Sequence, residues 1–290
     1  MKILFVGGGN MCQAIIGGLI ATGTPAADLH AIEPLVETRA TLARMGIAAT
    51  SELRERDLDV DVMVLAVKPQ MMKAAIAPFA GKLQAQLVVS IAAGIRTADL
   101  AEWLARAGGT SRPAAATNVY RNIVRAMPNT PALIRAGITG LYAMPGVSAT
   151  ARAAVETLLG AVGKTAWFDD EAMLDAVTAV SGSGPAYVFY FIEALEQAAQ
   201  ELGFDEPAAR QFALQTFLGG ARLAADSDEP PALLRQRVTS KRGTTESAIE
   251  IFDSLTLKRH FVEGVKAACK RSRELGDEMS REAAGGIGKN

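Results

Sequence analysis

The feature that most limits the fold is an apolar run that leads straight into glycines at the amino terminus, in the sequence MKILFVGGGNMC. Gly7 and Gly9 occupy the first two positions of a G-x-G-x-x-G fingerprint, and Cys12 occupies the third. The first glycine permits a tight turn, and the second lets the backbone approach a pyrophosphate at the start of a helix. Because helical apolar spacing follows at once, this order predicts a Rossmann-type βαβ unit that binds a dinucleotide. A purely structural glycine turn is the alternative.

Short apolar runs alternate with helical stretches through the first two thirds of the chain, which indicates a mainly parallel sheet covered by helices. The predicted strands are KILFV, DLHAIE, VDVMVLAV, QLVVSIA and NIVRAM. After KTAWFDD the pattern is helical, with helices predicted around residues 170–180, 185–202, 206–225, 244–253 and 256–274. We therefore predict an α/β Rossmann-type N-terminal domain over residues 1–165 and an all-α C-terminal domain over residues 166–290. Residues 108–118 have the composition of a surface insertion.

Composition and charge narrow the class of protein. With 290 residues the chain is long enough for about two domains, and its 49% hydrophobic content can fill a substantial core. The net charge of −1 and the lack of a basic stripe argue against a nucleic-acid partner. No signal peptide and no apolar run of about 18 residues is present, so we expect a cytoplasmic protein without a membrane anchor. Cys12 and Cys269 are expected to be reduced thiols, and no metal-ligand spacing is present.

An acidic residue closes the second predicted strand. Glu33 is placed to accept a hydrogen bond from a ribose 2′-hydroxyl, and its charge would repel a 2′-phosphate. Taken alone, this favours NADH. Arg39, one or two helical turns further on, could compensate and admit NADPH. The sequence therefore predicts NADP or NAD as cofactor and leaves the choice open.

The chain lacks an obvious general base. A hydride-transfer enzyme that acts on an alcohol or ketone usually moves a proton through a positioned His or Lys. His30 lies just before the second strand, and His260 lies in the cationic helical stretch LKRHF, so both are interpreted as surface or structural residues. Reduction of a carbon–nitrogen double bond fits, because a protonated imine is already electrophilic and needs only orientation and a hydrogen bond.

The stretch VTSKRGTTESAIE places a glycine and two threonines at the start of an amphipathic helix. Backbone N–H groups near Thr244, Thr245 and Glu246 would be unpaired there, and a helix N-terminus with free N–H groups attracts a carboxylate. The hydroxyl of Ser240 and those of the two threonines could orient such an anion. The alternative is an ordinary capped helix, with Gly243 as cap and Glu246 as half of a capping box.

The longest helical stretch of the second half begins at Pro185 and carries a wide apolar and aromatic stripe, in the sequence SGSGPAYVFYFIEALEQAAQ. The stripe is wider than one partner helix needs. It belongs either to the core of this domain or, in part, to the contact with a second subunit.

Together these motifs resemble the pyrroline-5-carboxylate reductase family. The match runs over almost the whole chain, through VGGGNMCQAIIGGL, LAVKPQ, SIAAGI, RAMPNTP, SGSGPAYVFYFIEAL and VTSKRGTTESAI. The resemblance implies that the C-terminal helical domain is a dimerisation domain, in a homodimer or higher homo-oligomer. It also implies NAD(P)H-dependent reduction of 1-pyrroline-5-carboxylate to L-proline, the last step of proline biosynthesis.

The resemblance also assigns roles to residues. It implies a pyrophosphate loop at Val6, Gly7, Gly8, Gly9, Asn10 and Met11, a ribose and nicotinamide segment at Ala66, Val67, Lys68 and Pro69, and backbone positions near the nicotinamide at Ala92, Ala93 and Gly94. It implies that Ser240, Gly243, Thr244 and Thr245 hold the substrate carboxylate, and that Thr245, the catalytic candidate, hydrogen-bonds the ring nitrogen. Asp228 stands where some members carry a Glu near the substrate amine.

The sequence departs from the usual family pattern at two places, and rival functions are weighed against it. Lys241 and Arg242 replace the Pro-Gly that is usual in the family, and the strand end IEP lacks the polar or basic residues common in members that prefer NADPH. A β-hydroxyacid dehydrogenase would need a catalytic Lys on the helix that begins at Pro185, which contains none. A non-catalytic nicotinamide-binding sensor and a reductase of a related cyclic imine remain as alternatives.

Overall fold

The computed structural model describes residues 1–105 and 119–285, so the predicted insertion at 108–118 lies outside the described residues. The chain divides into two compact units. The first, Met1–Gly182 with Ala268–Asn290, is called the sheet unit, and the second, Ser183–Ala267, is called the helical unit. The predicted division into residues 1–165 and 166–290 stays a prediction. The last strand ends close to that point, at Trp167.

The sheet unit is built on eight strands. They are β1 (Ile3–Val6), β2 (Leu29–Ile32), β3 (Ala48–Thr50), β4 (Val62–Leu65), β5 (Leu87–Ser90), β6 (Ile123–Met127), β7 (Gly137–Ala143) and β8 (Gly163–Trp167). Their order in the sheet is β3-β2-β1-β4-β5-β6-β7-β8. All pairs among β1 to β6 are parallel, β7 is antiparallel to β6, and β8 is parallel to β7. The first six strands have the Rossmann order, which confirms the predicted α/β class.

Helices cover both faces of this sheet. They are α1 (Asn10–Ala21), α2 (Val36–Arg44), α3 (Met72–Ile76), α4 (Thr97–Ala105), α5 (Ala149–Gly160) and α6 (Met173–Val177), which a π-helical turn (Thr178–Gly182) continues. Short 3-10 turns lie at Ala26–Asp28, Glu55–Leu58, Pro69–Met71, Ala77–Phe79 and Thr130–Ile134. Alternate residues of β1 belong to two separate apolar clusters, Ile3 and Phe5 to one and Leu4 and Val6 to the other. A parallel strand buried on both faces reads as a continuous apolar run, which is the pattern of KILFV.

The helical unit consists of α7 (Gly184–Glu201), α8 (Glu206–Ala225), α9 (Pro231–Arg237), α10 (Thr244–Ser254) and the first part of α11 (Leu257–Gly285). The end of α11 belongs to the sheet unit. The predicted helices at 185–202, 206–225 and 244–253 are confirmed. The predicted helix at 256–274 is correct in type but extends further, to residue 285.

Strand β7 was not predicted, and its glycines explain why. Gly137 and Gly140 interrupt the apolar run that marks a buried strand. Both are needed for close packing: a Cβ on Gly137 would lie 3.0 Å from Ala132, and one on Gly140 would lie 2.8 Å from the side chain of Val177. Glycine inside a strand marks such a close approach, which sequence alone does not reveal.

Candidate active site

The register of the sheet brings three predicted cofactor segments and Glu33 to the carboxyl ends of neighbouring strands. Val6 is paired with Ile32 and with Leu65, and Leu65 is paired with Ser90, so β1, β2, β4 and β5 end at the same level. The segments that follow these strands contain the glycine loop, Glu33, Ala66–Pro69 and Ala92–Gly94. The strand order reverses between β1 and β4, and open parallel sheets bind ligands in the crevice outside the carboxyl ends at such a point.

The glycine loop, residues 7–9, has the geometry of a pyrophosphate site. Gly7 has φ 98°, and a Cβ there would lie 2.7 Å from the carbonyl oxygen of Ala66, so no other residue fits without strain. Gly9 faces open space, with no atom within 4 Å of the position that a Cβ would take. Gly9 is also the N-cap of α1, without a side-chain cap and without an acidic residue in the first turn. The free N–H groups at Asn10 and Met11 therefore fit an anion.

Glu33 ties the end of β2 to the glycine loop. Its side chain is buried, and its two carboxylate oxygens accept hydrogen bonds from the N–H of Gly8 and from the N–H of Leu35, both at 2.8 Å. Arg39 donates through Nη1 to the carbonyl oxygens of Glu33, at 2.7 Å, and of Pro34, at 2.6 Å. The predicted acid and the predicted compensating cation thus lie together at the end of β2. Each Glu33 oxygen retains a lone pair for a further donor.

The segments after β4 and β5 differ in exposure. Ala66, Val67 and Pro69 are half-buried, and Lys68 is exposed. In the β5 segment Ala92 and Gly94 are buried, and Ala93 is half-buried. Gly94 has φ 78°, a left-handed conformation that favours glycine. The nicotinamide roles predicted for both segments stay predictions.

Cys12 and the two histidines occupy structural positions, but His30, expected just before the second strand, lies inside it. Cys12 is fully buried in the apolar cluster that contains Phe5, and burial raises the pKa of its thiol, which keeps it neutral. It packs α1 against the sheet, as the third fingerprint position requires. His30 lies within β2, with Nε2 3.5 Å from Oδ1 of Asp57, and burial lowers its pKa. His260 is exposed on α11.

In the helical unit, α10 begins without a side-chain cap on its first turn. Gly243 is its N-cap and cannot supply one. Ser240 packs against Gly243, and its carbonyl oxygen accepts the Gly243 N–H at 3.0 Å. The carboxylate of Glu246 accepts from the N–H of Arg242, one residue before the cap, so the half capping box is displaced by one position. The N–H groups of the first turn are left for another partner.

The remaining predicted substrate residues are on this surface or near it. Thr244 is exposed, and Thr245 is half-buried. Asp228 is exposed in the connection between α8 and α9, and within residues 183–267 no hydrogen bond or ion pair joins it to the 240–245 segment. Its neighbour Glu229 is paired with Arg237 at the end of α9. The substrate roles of all these residues stay predictions.

A buried polar network close to the Ala92–Gly94 segment was not foreseen. Glu171 accepts hydrogen bonds from the N–H of Thr97 at 2.8 Å, from the Thr97 hydroxyl at 2.7 Å, and from Nη1 of Arg125 at 3.2 Å. Arg125, in the middle of β6, is only 3% exposed. The signal was present in NIVRAM, because a buried arginine inside an apolar strand requires a carboxylate partner.

Neither a metal site nor a membrane-spanning helix is present within residues 1–105 and 119–285. In that part of the chain no group of three or more His, Cys, Asp or Glu side chains is arranged to hold a metal ion. No helix there is both long and apolar enough to cross a membrane.

Comparison with known proteins finds a matching family model for each half of the chain. The family model described as "Pyrroline-5-carboxylate reductase dimerisation" matches residues 171–275, and the model described as "NADP oxidoreductase coenzyme F420-dependent" matches residues 2–94. The pyrroline-5-carboxylate reductase of Pseudomonas aeruginosa is 46% identical over 282 residues, which cover 97% of this chain and 98% of that protein.

Solved structures agree over the same length. A pyrroline-5-carboxylate reductase from Coxiella burnetii superimposes with a TM-score of 0.82 at 37% identity and covers 94% of this chain and 98% of its own. The Plasmodium falciparum pyrroline carboxylate reductase with NADP bound gives a TM-score of 0.79 at 26% identity, with 95% and 98% covered. The full-length identity to the Pseudomonas relative confirms the resemblance, and this chain belongs to the pyrroline-5-carboxylate reductase family.

Proposed function

We propose that this chain catalyses the NAD(P)H-dependent reduction of 1-pyrroline-5-carboxylate to L-proline, the last step of proline biosynthesis. The observation that carries the proposal is the glycine loop, where Gly9 leaves open space at the uncapped start of α1, in a chain of this family. The absence of a lysine on α7 argues against a β-hydroxyacid dehydrogenase. The two free thiols fit the cytoplasm, where we place the enzyme.

The sheet unit holds and orients the cofactor in this proposal. When bound, the nicotinamide supplies the hydride. The N–H groups of the glycine loop and of Asn10 and Met11 bind the pyrophosphate, and Ala66–Pro69 and Ala92–Gly94 flank the ribose and the nicotinamide. Because the loops follow strands that end at one level, their backbones form a fixed surface against which the nicotinamide is oriented.

The helical unit supplies the substrate site. The uncapped N–H groups at the start of α10, with Ser240 and Gly243, bind the substrate carboxylate, and Thr244 adds a hydroxyl. Thr245, which is half-buried, donates to or accepts from the ring nitrogen and holds the imine carbon toward the nicotinamide. No general base is required, since hydride addition to a protonated imine leaves a neutral amine that water can protonate. Asp228 is a weaker candidate for contact with the amine.

Association of subunits brings the cofactor site and the substrate site together in this proposal. We propose a homodimer or a higher homo-oligomer in which the helical unit of one subunit serves the cofactor site of its partner. The family model that matches residues 171–275 carries the word dimerisation. The helical unit also exposes large apolar side chains, among them Phe189, Tyr190 and Leu223. A surface of that kind on a globular unit indicates a protein partner.

Cofactor preference depends on the pair at the end of β2. Glu33 favours NADH, because a buried carboxylate repels a 2′-phosphate, and Arg39 is the cation that would admit NADPH. Glu33→Gln keeps an oxygen for the Gly8 N–H and removes the charge. We expect it to raise the NADPH-to-NADH ratio of kcat/KM, and Arg39→Ala to lower it. If the NADPH-to-NADH ratio of kcat/KM is the same in both variants and in the wild type, neither residue determines cofactor preference.

The direct test measures nicotinamide oxidation at about 340 nm with 1-pyrroline-5-carboxylate, in parallel with NADH and NADPH. Thr245→Ala is expected to lower kcat by about tenfold or more, since one hydrogen bond made in the transition state is lost. Ser247→Ala, on the same helix, is the matched control and should turn over normally. Unchanged turnover in Thr245→Ala would contradict the role of that residue. Cofactor binding without turnover would favour a sensor or a reductase of another cyclic imine.

A further inference from the structure

The end of α11 packs one face against the sheet unit. In the segment 272–280, called the return segment, Ser272 and Gly276 are buried and Ser280 is half-buried, while Arg273 and Asp277 are exposed. The inward positions recur every four residues, which places them on one side of the helix. The return segment is therefore a helix face that the sheet unit covers, at a place where the sequence shows no motif.

That face touches the predicted nicotinamide segment at backbone distance. A Cβ on Gly276 would lie 3.2 Å from the carbonyl oxygen of Gly94, which is tighter than most real side-chain contacts. From the other side, a Cβ on Gly94 would lie 3.3 Å from Sδ of Met279. Gly94 also has a left-handed φ of 78°. A methyl group on Gly276 would press on the backbone of Gly94, so the helix or the loop would have to give by a few tenths of an ångström, whereas one on Gly94 would meet the flexible side chain of Met279.

Three polar contacts anchor the return segment. The Ser280 hydroxyl donates to Oδ2 of Asp99 on α4 at 2.7 Å, and the Ser272 hydroxyl donates to Oδ1 of Asp175 on α6 at 2.7 Å. Arg96, two residues after Gly94, is paired with Asp277. The Arg96–Asp277 pair ties the return segment to the loop itself, and the two serine bonds tie it to the neighbouring helices α4 and α6.

We propose that the return segment is a positioning element for the Ala92–Gly94 backbone, with Gly276 as the residue that sets how closely the loop is held. This inference rests on the proposed function, in which that backbone flanks the nicotinamide. Gly276 does not touch the reacting atoms. It acts through Gly94, because a loop pushed outward by a few tenths of an ångström changes the orientation of the nicotinamide toward the imine carbon.

The sharpest test is Gly276→Ala, with Gly160→Ala as the matched control. Alanine is favoured over glycine inside a helix by about 1 kcal/mol, so the added methyl does not weaken α11 itself. Gly160 is exposed on α5 of the same unit, with no atom within 4 Å of its Cβ position. We expect Gly276→Ala to lower kcat by about tenfold and to raise KM for the cofactor, with KM for the imine and the melting temperature unchanged. Gly160→Ala should match the wild type.

Kinetics of Gly276→Ala equal to those of Gly160→Ala would overturn the proposal. If Gly276→Ala does not fold, Asp277→Ala tests the same proposal. Its control is Glu278→Ala, since Glu278 is paired with Arg271 on the same helix. Asp277→Ala should raise KM for the cofactor by about two- to threefold, because the Arg96 pair is partly exposed. An unchanged KM in that variant would overturn the proposal.

Cofactor affinity, measured by NADPH and NADH fluorescence without substrate, separates this inference from the proposed function. Wild-type protein that binds cofactor but reduces no imine would contradict the function. The affinity ratio of Gly276→Ala to Gly160→Ala would still test the positioning role. A ratio near one overturns it, and a weaker affinity in Gly276→Ala supports it.

Discussion

The sheet unit and the helical unit bury their apolar residues to very different degrees. In the sheet unit Ile3, Leu4 and Phe5 are completely inaccessible, and two apolar clusters cover both faces of the sheet. In the helical unit, where every residue is described, Ala209 and Ala213 are the only buried residues. Phe212 is 61% exposed there, and Leu223 is 73% exposed.

The difference shows that the helical unit buries almost none of its apolar side chains within one chain. Ordering a residue costs about 1–2 kcal/mol of backbone entropy, which burial of apolar surface must offset. Aromatic contacts such as that of Tyr187 with Phe261 lie inside the unit without burying its other large apolar side chains, and a cavity of about 260 Å³ opens beside Phe191 and Phe261. In the proposed oligomer a second copy would cover the exposed side chains and supply the missing burial, whereas the sheet unit has its own core.

The largest expected effect is on the buried ion pair of the sheet unit. Glu171→Ala leaves the Arg125 guanidinium buried without its carboxylate and removes both bonds to Thr97. We expect the free energy of unfolding to fall by about 3 kcal/mol, as is typical when one partner of a buried pair is removed. Chemical denaturation at fixed protein concentration measures it.

The control is the exposed pair of Glu263 and Lys266 in the helical unit. Glu263→Ala should change stability by less than about 1 kcal/mol. Similar losses in Glu171→Ala and Glu263→Ala would contradict the contrast between the two units.

The second prediction distinguishes effects on folding stability from effects on cofactor binding within the glycine loop. Gly9→Ala should leave the melting temperature unchanged, because its Cβ meets no protein atom, but it should weaken cofactor binding by about tenfold to a hundredfold. Gly7→Ala should lower the melting temperature as well, since φ is 98° and the Cβ collides with Ala66. Calorimetry and cofactor fluorescence give both quantities. A Gly9→Ala variant that melts early yet binds normally would refute the assignment.

The third prediction acts on the helical unit alone. Phe189→Asp places a charge on α7 where the side chain is 66% exposed in the single chain. If a second copy covers it, the change should weaken assembly by about 2 kcal/mol per subunit. Sedimentation over a range of concentrations measures this. Val36→Asp, on α2 of the sheet unit and 70% exposed, is the control and should leave the assembly intact. Equal sedimentation of the wild type and the Phe189 variant would argue against a subunit contact at α7.

The smallest effect expected is a pH dependence confined to the sheet unit. Burial lowers the pKa of His30 below its ordinary value of 6.5, so the folded state favours the neutral ring. The stability that this provides is present above pH 6.5 and is lost as the pH falls from 6.5 through the folded pKa. His30→Gln should flatten the stability profile below that pH, whereas His260→Gln, at an exposed position, should not. Parallel profiles for both variants would contradict the prediction.

Much of the sheet unit was predictable because its signals are local. The strand KILFV, the glycines after it and the helical spacing from Met11 specify β1, the loop and α1 within one stretch of chain. The acid at Glu33 was placed correctly at the end of β2, but its bond to Gly8 was not foreseen, since that bond depends on the register of two strands. Strands β3 and β7 and helix α9 were missed. Strand β3 has only three residues, internal glycines obscure β7, and α9 is short and starts at a proline.

The sequence by itself determined the α/β class, the glycine turn between β1 and α1, the helical second half and the family, because propensity, apolar periodicity and glycine spacing act over a few neighbouring residues. Only the tertiary structure decided which residues meet across long separations. It pairs Arg125 with Glu171 and brings Gly276 against Gly94. It also showed that the helical unit lacks a core of its own, since burial depends on what the rest of the chain covers, and no local pattern encodes that.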